Sequence, residues 1–384
     1  MSLFRNLGEV SDTIMGQAPP GEDCNKLGEG TPFVKAGEFG VDRPVIREWT
    51  TKPLKLARRN DVLICVVGAT SGKINKGEDC AIGRSVAAIR AKQDMLDINY
   101  LYFFLKSFSS RLLEMSQGAA QTVITKDMLY FLQIPLPSLP QQQKIANILD
   151  AADALRQNDK ALIAKYDELT QALFLDMFGD PVSNPKGWEI LKLSQLSDIT
   201  SSRRIFKDEY VENGIPFYRT KEIVELSKNK KISSELFISI ERYNEIKSNN
   251  DIPIIGDILL SAVGTIGVMW VVNNNDPFYF KDGNLVWLKM SKSKNINSKY
   301  LRMTLEYLIE HEKGNLAQGA AYNALTIDKL KKFDVNIAPI QLQNQFAERV
   351  AVIEEQKAIA QKSLEKSESL FNSLLQKAFK GELV

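Results

Sequence analysis

The residues of this sequence that could do chemistry are few and scattered. The one histidine, His311, stands in the charged stretch Glu310-His311-Glu312-Lys313, which is typical of a solvated helix surface. A single histidine excludes a histidine-rich metal site and a duplicated Ser-His-Asp arrangement. The three cysteines, Cys24, Cys65 and Cys80, lack CxxC spacing, which argues against zinc and against a disulfide framework.

Two short segments resemble cofactor-binding loops but depart from them in detail. Gly68-Ala69-Thr70-Ser71-Gly72-Lys73 has three residues between its glycines instead of four, and Ile74 stands where a phosphate-binding loop needs Ser or Thr. Asp276-Pro277-Phe278-Tyr279 resembles the Asp-Pro-Pro-Tyr loop of amino-methyltransferases, but Phe278 replaces the second proline and no glycine-rich fingerprint precedes it. We therefore expect no catalytic residues, no metal and no cofactor on this chain.

Length and composition are typical of a soluble globular protein with room for two domains. The 384 residues are 44% hydrophobic and 25% charged, and the net charge of +2 does not by itself indicate nucleic acid binding. No run approaches the roughly 18 apolar residues that cross a membrane. No secretory signal opens the chain, and the sparse cysteines favour a reducing compartment. We expect a cytoplasmic protein.

An internal duplication is the most informative feature of the sequence. QGAAQTVITKDML returns 201 residues later as QGAAYNALTIDKL, and other matches keep the same order. The matching segments are 7–15 and 193–201, 30–39 and 214–223, 60–72 and 256–267, and 117–129 and 318–330. The sequence therefore predicts two copies of one domain, each with its own loops.

A long helix is predicted after each copy, because residues at alternating steps of four and three form a coiled-coil seam. No Pro or Gly falls between Gln141 and Phe178, so about 38 residues at ~1.5 Å each give a rod of roughly 55–60 Å. The seam residues are Ile145, Leu149, Ala152, Ile163, Tyr166 and Leu173 in the first helix and Phe346, Val350, Ile353, Leu364, Phe371 and Leu374 in the second. Arg156 and Lys357 interrupt the two seams at the same place, as register-fixing polar residues do.

Two equally long helices in the same register favour pairing with each other over packing separately on their own domains. Because a whole domain lies between them, the chain can return and the pair is expected to be antiparallel. The predicted fold class is α+β, with two duplicated mixed α/β domains joined by two long helices that pair as an antiparallel coiled coil. The predicted boundaries are 1–136 for the first domain, 137–180 for the central helix, 181–336 for the second domain and 337–384 for the C-terminal helix.

Local patterns within each copy predict mixed secondary structure. Runs rich in β-branched residues at Asp61–Val67 and Asp257–Val263 end at glycine, as buried strands do. Asn99–Met115 and Ser298–Glu312 have the periodicity of helices.

Local phrases of the sequence resemble a known family, the specificity subunits of Type I restriction–modification enzymes. These phrases are IPLPSLPQQQKIANILDAAD, LFLDMFGDP and NPKGWEILKLSQL. LPQQQKIA is similar to the family's Pro-Leu-x-Glu-Gln-x-x-Ile/Ala helix opening, with Gln141 in place of the usual acidic residue, and its second copy at 339–347 is a looser match. Together with the order of domains and helices, the resemblance covers nearly the whole chain.

The resemblance implies a function and partners. Each recognition domain would read one half of an asymmetric, bipartite target in double-stranded DNA, and the helix pair would set the spacer. Half-sites read from one face of DNA lie about 34–36 Å apart, which a rod of the predicted length can span. The helices would dock two methyltransferase subunits and, where present, two restriction subunits. Those partners would hold S-adenosylmethionine, ATP and Mg, and this chain would catalyse nothing.

DNA contacts are expected where the two copies share a frame but differ in side chain, as at Lys35 and Arg219 or Ser85 and Asn284, since such positions would read different bases. The candidates in the first domain are Lys35, Arg58, Arg59, Lys73, Lys76, Arg84, Gln121 and Lys126. The candidates in the second domain are Arg203, Arg204, Lys207, Arg219, Lys221, Asn284, Tyr322 and Asn323.

Two other functions remain open from the sequence. A non-enzymatic adaptor could use duplicated domains to bind protein or carbohydrate, and its binding would not weaken with salt as phosphate contacts do. A stand-alone methyltransferase would bind S-adenosylmethionine without any partner.

Overall fold

The computed structural model describes residues 3–116, 123–230, 232–290, 295–316 and 324–383. Contacts divide the chain into two units, the first formed by Met1–Ala161 and Lys362–Val384 and the second by Leu162–Gln361. Each long helix is therefore shared between the units, and each unit contains one of the repeated domains.

The two repeats share most of their helices and strands in the same order, and the second repeat adds two helices, at Thr220–Leu226 and Ile240–Ser248. The strands of the first unit are β1 (Leu3–Asn6), β2 (Ser11–Met15), β3 (Cys24–Asn25), β4 (Thr31–Val34), β5 (Trp49–Thr50), β6 (Leu56–Ala57), β7 (Asp61–Cys65), β8 (Ile74–Lys76), β9 (Cys80–Ile82), β10 (Val86–Ala91) and β11 (Gln133–Leu136). Those of the second unit are β12 (Glu189–Lys192), β13 (Asp198–Thr200), β14 (Tyr210–Val211), β15 (Ile215–Tyr218), β16 (Phe237–Ile238), β17 (Ile258–Ser261), β18 (Met269–Val271), β19 (Tyr279–Phe280), β20 (Leu285–Lys289) and β21 (Asp334–Ile337). The helices are α1 (Leu7–Val10), α2 (Ile98–Ser116), α3 (Lys126–Tyr130), α4 (Leu139–Phe178), α5 (Leu193–Leu196), α6 (Thr220–Leu226), α7 (Ile240–Ser248), α8 (Ser298–Leu316), α9 (Ile327–Lys331) and α10 (Ile340–Lys380).

A four-stranded antiparallel sheet forms the middle layer of each unit, in the order β2-β10-β7-β8 in the first and β13-β20-β17-β18 in the second. All residues of β7 are buried, because the strand has a core on each face. Val62 and Ile64 belong to the core that includes α2, whereas Leu63 and Cys65 belong to a core shared with the second sheet. This two-sided burial is why β7 is almost continuously apolar rather than alternating.

The second sheet of each unit contains one parallel pair of strands. Its order is β3-β5-β4-β9-β6 in the first unit and β14-β16-β15-β19 in the second. β4 runs parallel to β9, with Val34 opposite Ile82, and β15 runs parallel to β19, with Tyr218 opposite Phe280. The same unusual pairing therefore recurs in both repeats.

The two strands predicted at Asp61–Val67 and Asp257–Val263 end earlier than these apolar runs suggested. β7 stops at Cys65 because the next residue changes partner: the backbone N–H of Val66 donates to Ser85, and its carbonyl accepts from Ile124. In the second repeat β17 stops at Ser261, and Ala262 exchanges the same bonds with Asn284 and Leu325. The predicted helices at Asn99–Met115 and Ser298–Glu312 are confirmed as α2 and α8, which run a little longer.

Each long helix has a buried glutamine in its first turn and is followed by a glycine. Gln142 accepts from the N–H of Asp97 at 2.8 Å and donates to two carbonyls, and Gln343 does the same with Asn297 in the second unit. Gln141, in the place of the family's acidic residue, still accepts from the N–H of Ser138, as a capping box requires. Gly179 and Gly381 follow the helices with φ near +77° and +78°, a left-handed conformation that ends a helix without strain.

The two long helices run antiparallel to each other within each unit. In the first unit Ile145, Leu149 and Ala152 share one core with Phe371 and Ala378. In the second unit the other halves meet, and Phe174 and Phe178 pack edge-on against Phe346. The predicted fold class, with duplicated α/β domains and paired long helices, is confirmed.

Burial along the helices follows the proposed seam. Ile145, Leu149, Ala152, Phe346, Val350 and Phe371 are buried, and Ile163, Tyr166, Leu173, Ile353, Leu364 and Leu374 are half-buried. None of the helices in the described ranges is long and apolar enough to span a membrane.

Candidate nucleic-acid interface

The parallel strand pair of the first unit brings two candidate segments together. Because β4 and β9 are parallel, the chain leaves both strands at the same edge of the sheet. Lys35 follows β4, and Arg84 lies in the turn after β9. The N–H of Gly83 donates to Val34 at 2.9 Å, and the N–H of Ala36 donates to the Ser85 hydroxyl at 3.1 Å, which ties the two segments to each other.

The second unit repeats this arrangement and adds a third segment. Arg219 follows β15, and the N–H of Lys281, which follows β19, donates to Tyr218 at 2.9 Å. The N–H of Arg203 donates to the Tyr279 hydroxyl at 2.8 Å, so the segment after β13 joins the other two. We call these segments the loop edge, defined as residues 35–38 and 83–85 in the first unit and 201–204, 219–222 and 281–284 in the second.

The loop edge contains seven of the sequence candidates. These are Lys35 and Arg84 in the first unit and Arg203, Arg204, Arg219, Lys221 and Asn284 in the second. All of them are exposed except Lys35 and Arg219, which are half-buried. Guanidinium, ammonium and amide groups on exposed loops can contact phosphates and base edges.

The other described candidates lie elsewhere. Arg58 and Arg59 line a cleft with Arg90 and Gln143, beside the start of α4. Lys76 points toward the long helix, with its ammonium 3.5 Å from the Asp150 carboxylate.

Three further candidates lie apart from both groups. Lys73 is exposed, and its ammonium donates to the carbonyl of Phe39 at 2.8 Å. Lys126 begins α3, and Lys207 begins a short 3-10 turn. Gln121, Tyr322 and Asn323 fall outside the described residues.

Carboxylates accompany the cations of the loop edge. Arg203 contacts Asp251 at 2.8 Å, and Arg204 contacts Asp282 at 2.9 Å. Burial alone would raise the pKa of Asp251, but hydrogen bonds from Lys289 and Arg203 hold that pKa below its usual range. Most cations of the loop edge are therefore paired with a carboxylate.

Two acidic residues stand in the same place in both repeats. Glu38 accepts the N–H of Lys35 at 3.0 Å, and Glu222 accepts the N–H of Arg219 at 2.8 Å. Both glutamates are buried. These two glutamates were not among the candidates from the sequence. The match of GTPFVKAGEF with GIPFYRTKEI could have identified them, because both copies have a glutamate at this position.

No metal centre accompanies this interface in the part of the chain that the structure describes. Among those residues, no group of three or more His, Cys, Asp or Glu side chains is placed to hold an ion.

Comparison with known proteins decides the family. The model of the Type I restriction modification DNA specificity domain matches the chain twice, over residues 3–165 and 185–368. The chain belongs to the family of type I restriction–modification specificity subunits. The two matches coincide with the duplication seen in the sequence and with the two repeats of the fold.

Two curated members of this specificity-subunit family are similar to the chain over part of its length. The chain is 35% identical over 167 residues to the MjaX type I restriction enzyme specificity subunit of Methanocaldococcus jannaschii, which covers 42% of the chain and 39% of that protein. It is 28% identical over 264 residues to the specificity subunit S.HindORF215P of Haemophilus influenzae, which covers 66% of the chain and 63% of that protein. The matches thus span about two fifths to three fifths of these relatives.

Solved structures share the fold of this specificity-subunit chain. The S subunit of a type I restriction–modification system from M. genitalium has a TM-score of 0.60 at 18% identity, over 99% of this chain and 96% of that one. A second neighbour, from a structure of complex assembly and conformational transition of the type I R-M system, has a TM-score of 0.55 at 20% identity, over 99% and 98% of the two chains.

Proposed function

We propose that this chain gives a type I restriction–modification complex its DNA sequence specificity. Each repeat reads one half of an asymmetric, bipartite target in double-stranded DNA. The long helices set the spacer between the halves and dock the methyltransferase subunits, and through them any restriction subunits. The chain itself catalyses nothing.

One observation carries the proposal: the two repeats hold different side chains on the same frame. Lys35 and Arg219 both follow the first strand of a parallel pair, and a buried glutamate three residues later accepts the backbone N–H of each. An ammonium and a guanidinium differ in charge distribution and donor geometry, and Ser85 in the first repeat stands where the second has the amide of Asn284, so the two repeats present different groups to the bases. Two different half-sites, and hence a non-palindromic target, follow from this difference.

The length of the helices supports the role of spacer. α4 has 40 residues and α10 has 41, which at ~1.5 Å each corresponds to about 60 Å. Half-sites one turn of DNA apart are separated by about 34–36 Å, well within that length.

An apolar stripe on α4 supports docking of partner subunits. Leu155, Leu162 and Leu169 are spaced by seven residues, lie next to the seam and are 47%, 41% and 49% exposed. A row of leucines at this spacing on one helix is typical of a surface that a partner helix covers. The partner subunits would supply S-adenosylmethionine, ATP and Mg, together with the methylation and cleavage chemistry.

The test is single-molecule sequencing of DNA from a methylation-free host. The host would express this chain with the methyltransferase subunit encoded beside it, and the control strain would express the methyltransferase subunit alone. We expect methylation at a bipartite motif with two unequal half-sites about one turn apart, only when this chain is present.

The opposite result would identify a different function. If the methyltransferase subunit is folded and bound to this chain but no motif is methylated, the specificity role is wrong. DNA binding that does not weaken as salt rises would also contradict it, because phosphate contacts release counterions.

A further inference from the structure

Glu235 bridges two cations of the loop edge in the second unit. One carboxylate oxygen lies 2.7 Å from Nη2 of Arg219, and the other lies 2.8 Å from Nζ of Lys221. The side chains of Glu235 and Lys221 are each 56% exposed, so this bridge lies on the surface. Its hydrogen bonds, from Lys221 first and then from Arg219, lower the pKa of Glu235 to about 2, so the carboxylate is ionised at neutral pH.

The bridge is not needed to neutralise or to orient Arg219. Glu222 already does so, because its buried carboxylate accepts the Arg219 backbone N–H at 2.8 Å and Nη2 at 3.0 Å. Glu235 comes from a different segment, just before β16, and its carboxylate balances the charge of the second cation, Lys221. Arg219 and Lys221 carry two positive charges, and Glu222 and Glu235 carry two negative charges. The net charge of these four side chains is therefore zero, and removal of the Glu235 charge would leave a net charge of +1.

The first unit has a comparable contact built from a different position. Nζ of Lys35 lies 2.5 Å from the Glu48 carboxylate, in the segment just before β5. Glu48 directly precedes its strand, whereas Glu235 lies two residues before β16, so the acids are not copies of each other. In both units, therefore, an exposed or half-buried carboxylate covers the cation that follows the first parallel strand.

We propose that Glu235 is an internal substitute for a DNA phosphate, which occupies Lys221 and Arg219 until DNA binds; the DNA backbone then takes its place at Lys221, and Arg219 is free to reach a base. This inference rests on the proposed function. A phosphate presents anionic oxygens to a neighbouring ammonium, as the Glu235 carboxylate does to Lys221 here, and Arg219 keeps its buried partner Glu222 when the bridge opens. Every DNA molecule must break the bridge, so Glu235 lowers affinity for all sequences and limits non-specific binding.

Salt dependence gives the proposal a specific signature. In the wild-type chain, binding of a phosphate frees a carboxylate that recruits cations from solution, which offsets part of the counterion release from DNA. Glu235→Gln removes this offset. The slope of log K against log salt should then steepen toward that of one additional phosphate contact, about 0.9.

The experiment compares variants of the full chain in complex with its methyltransferase subunit. Duplexes with the methylated motif and with a scrambled sequence serve as probes. We expect Glu235→Gln to bind both duplexes about three- to ten-fold more tightly at low salt. The control Glu212→Gln removes the same charge from an exposed side chain of the same unit and should change affinity much less.

A double variant separates the bridge from other effects. Lys221→Ala should weaken binding to both duplexes, and most of the gain from Glu235→Gln should disappear in the Lys221→Ala background. Equal gains from Glu212→Gln and Glu235→Gln would overturn the inference, because net charge alone would explain them. Weaker binding by Glu235→Gln would also overturn it. If the wild-type complex neither binds nor methylates a specific motif, the proposed function itself is wrong.

Discussion

The Asp159 carboxylate accepts a 2.7 Å hydrogen bond from the hydroxyl of Ser367, a residue 208 positions further along the chain, inside the helix pair of the first unit. Asp159 is 8% exposed and Ser367 is 3% exposed, so water cannot replace this bond. A buried carboxyl group is costly without a hydrogen-bond partner. The pair therefore selects the alignment of α4 and α10 in which these two side chains meet.

Ser367→Ala is expected to destabilise the first unit by about 1–3 kcal/mol, because it leaves the buried Asp159 carboxylate without this donor. The measurement is denaturant unfolding together with hydrogen exchange of 139–161 and 362–384. Ser373→Ala, an exposed position on the same helix, is the control and should change stability by less than about 0.5 kcal/mol. Equal losses in the two variants would mean that the bond does not select the register.

A charged layer beside this pair makes the helix contact dependent on pH. The Asp153 carboxylate lies 3.0 Å from Nζ of Lys106 and also contacts Arg156, and both cations lie over the ring of Phe371. Burial alone would raise the pKa of Asp153, but Lys106 and Arg156 lower it below its ordinary value. A lowered folded-state pKa adds stability above the unfolded pKa, and this stability is lost as pH falls through the folded value.

Asp153→Asn is expected to cost about 2–3 kcal/mol near pH 7, because Lys106 and Arg156 lose their partner. The difference between variant and wild type should shrink as pH falls below about 4, the ordinary pKa of an aspartate in the unfolded chain, and on through the lowered pKa of Asp153 in the folded chain. Chemical unfolding at several pH values measures both. Asp150→Asn, at a 59% exposed carboxylate, is the control and should cost less than about 1 kcal/mol at any pH. A constant difference down to pH 3 would contradict the ion-pair explanation.

Lys35 and Arg219 occupy matching positions in the two repeats. Substituting each of them should show which half of the DNA target each repeat recognises. Lys35→Ala is expected to weaken or relax one half-site, and Arg219→Ala the other, by about 1–3 kcal/mol of discrimination each. The methylated motif of each variant, read by sequencing, is the measurement. Lys247→Ala, an exposed cation outside the loop edge and outside the candidate DNA contacts, should leave both halves unchanged. If both variants altered the same half, the assignment of one repeat to each half-site would be wrong.

The leucine stripe on α4 should control the assembly of the complex. Leu162→Glu is expected to weaken binding of the methyltransferase subunit by about 1.5–3 kcal/mol, the value of one buried leucine. Ala161→Glu adds the same charge to an exposed position one residue away, on another face of the helix, and should have little effect. Titration of the partner against each variant measures the difference. Unchanged affinity of Leu162→Glu, with the helix intact by circular dichroism, would move the docking surface elsewhere.

The repeats, the two long helices and the family could all be predicted from the amino-acid sequence. These follow from patterns that are local or that recur along the chain: the matched segments, the steps of four and three along each helix, and the apolar runs that become β7 and β17. Gln142 and Gln343 belong to the same class, since each lies in a helix opening that the sequence already identified. Local patterns can be recognised in a sequence because burial of one face of a helix or strand places apolar residues at a fixed spacing.

The tertiary structure alone decided which candidate residues lie together and how their charges are balanced. Lys35 and Arg84 become neighbours only because β4 and β9 are parallel, a pairing between strands far apart in sequence. The bridge from Glu235 to Arg219 and Lys221 spans 16 and 14 residues, and Asp159 meets Ser367 across 208. Such partners are not separated by any fixed number of residues. Because they become neighbours only when the chain folds, no periodic pattern in the sequence predicts them.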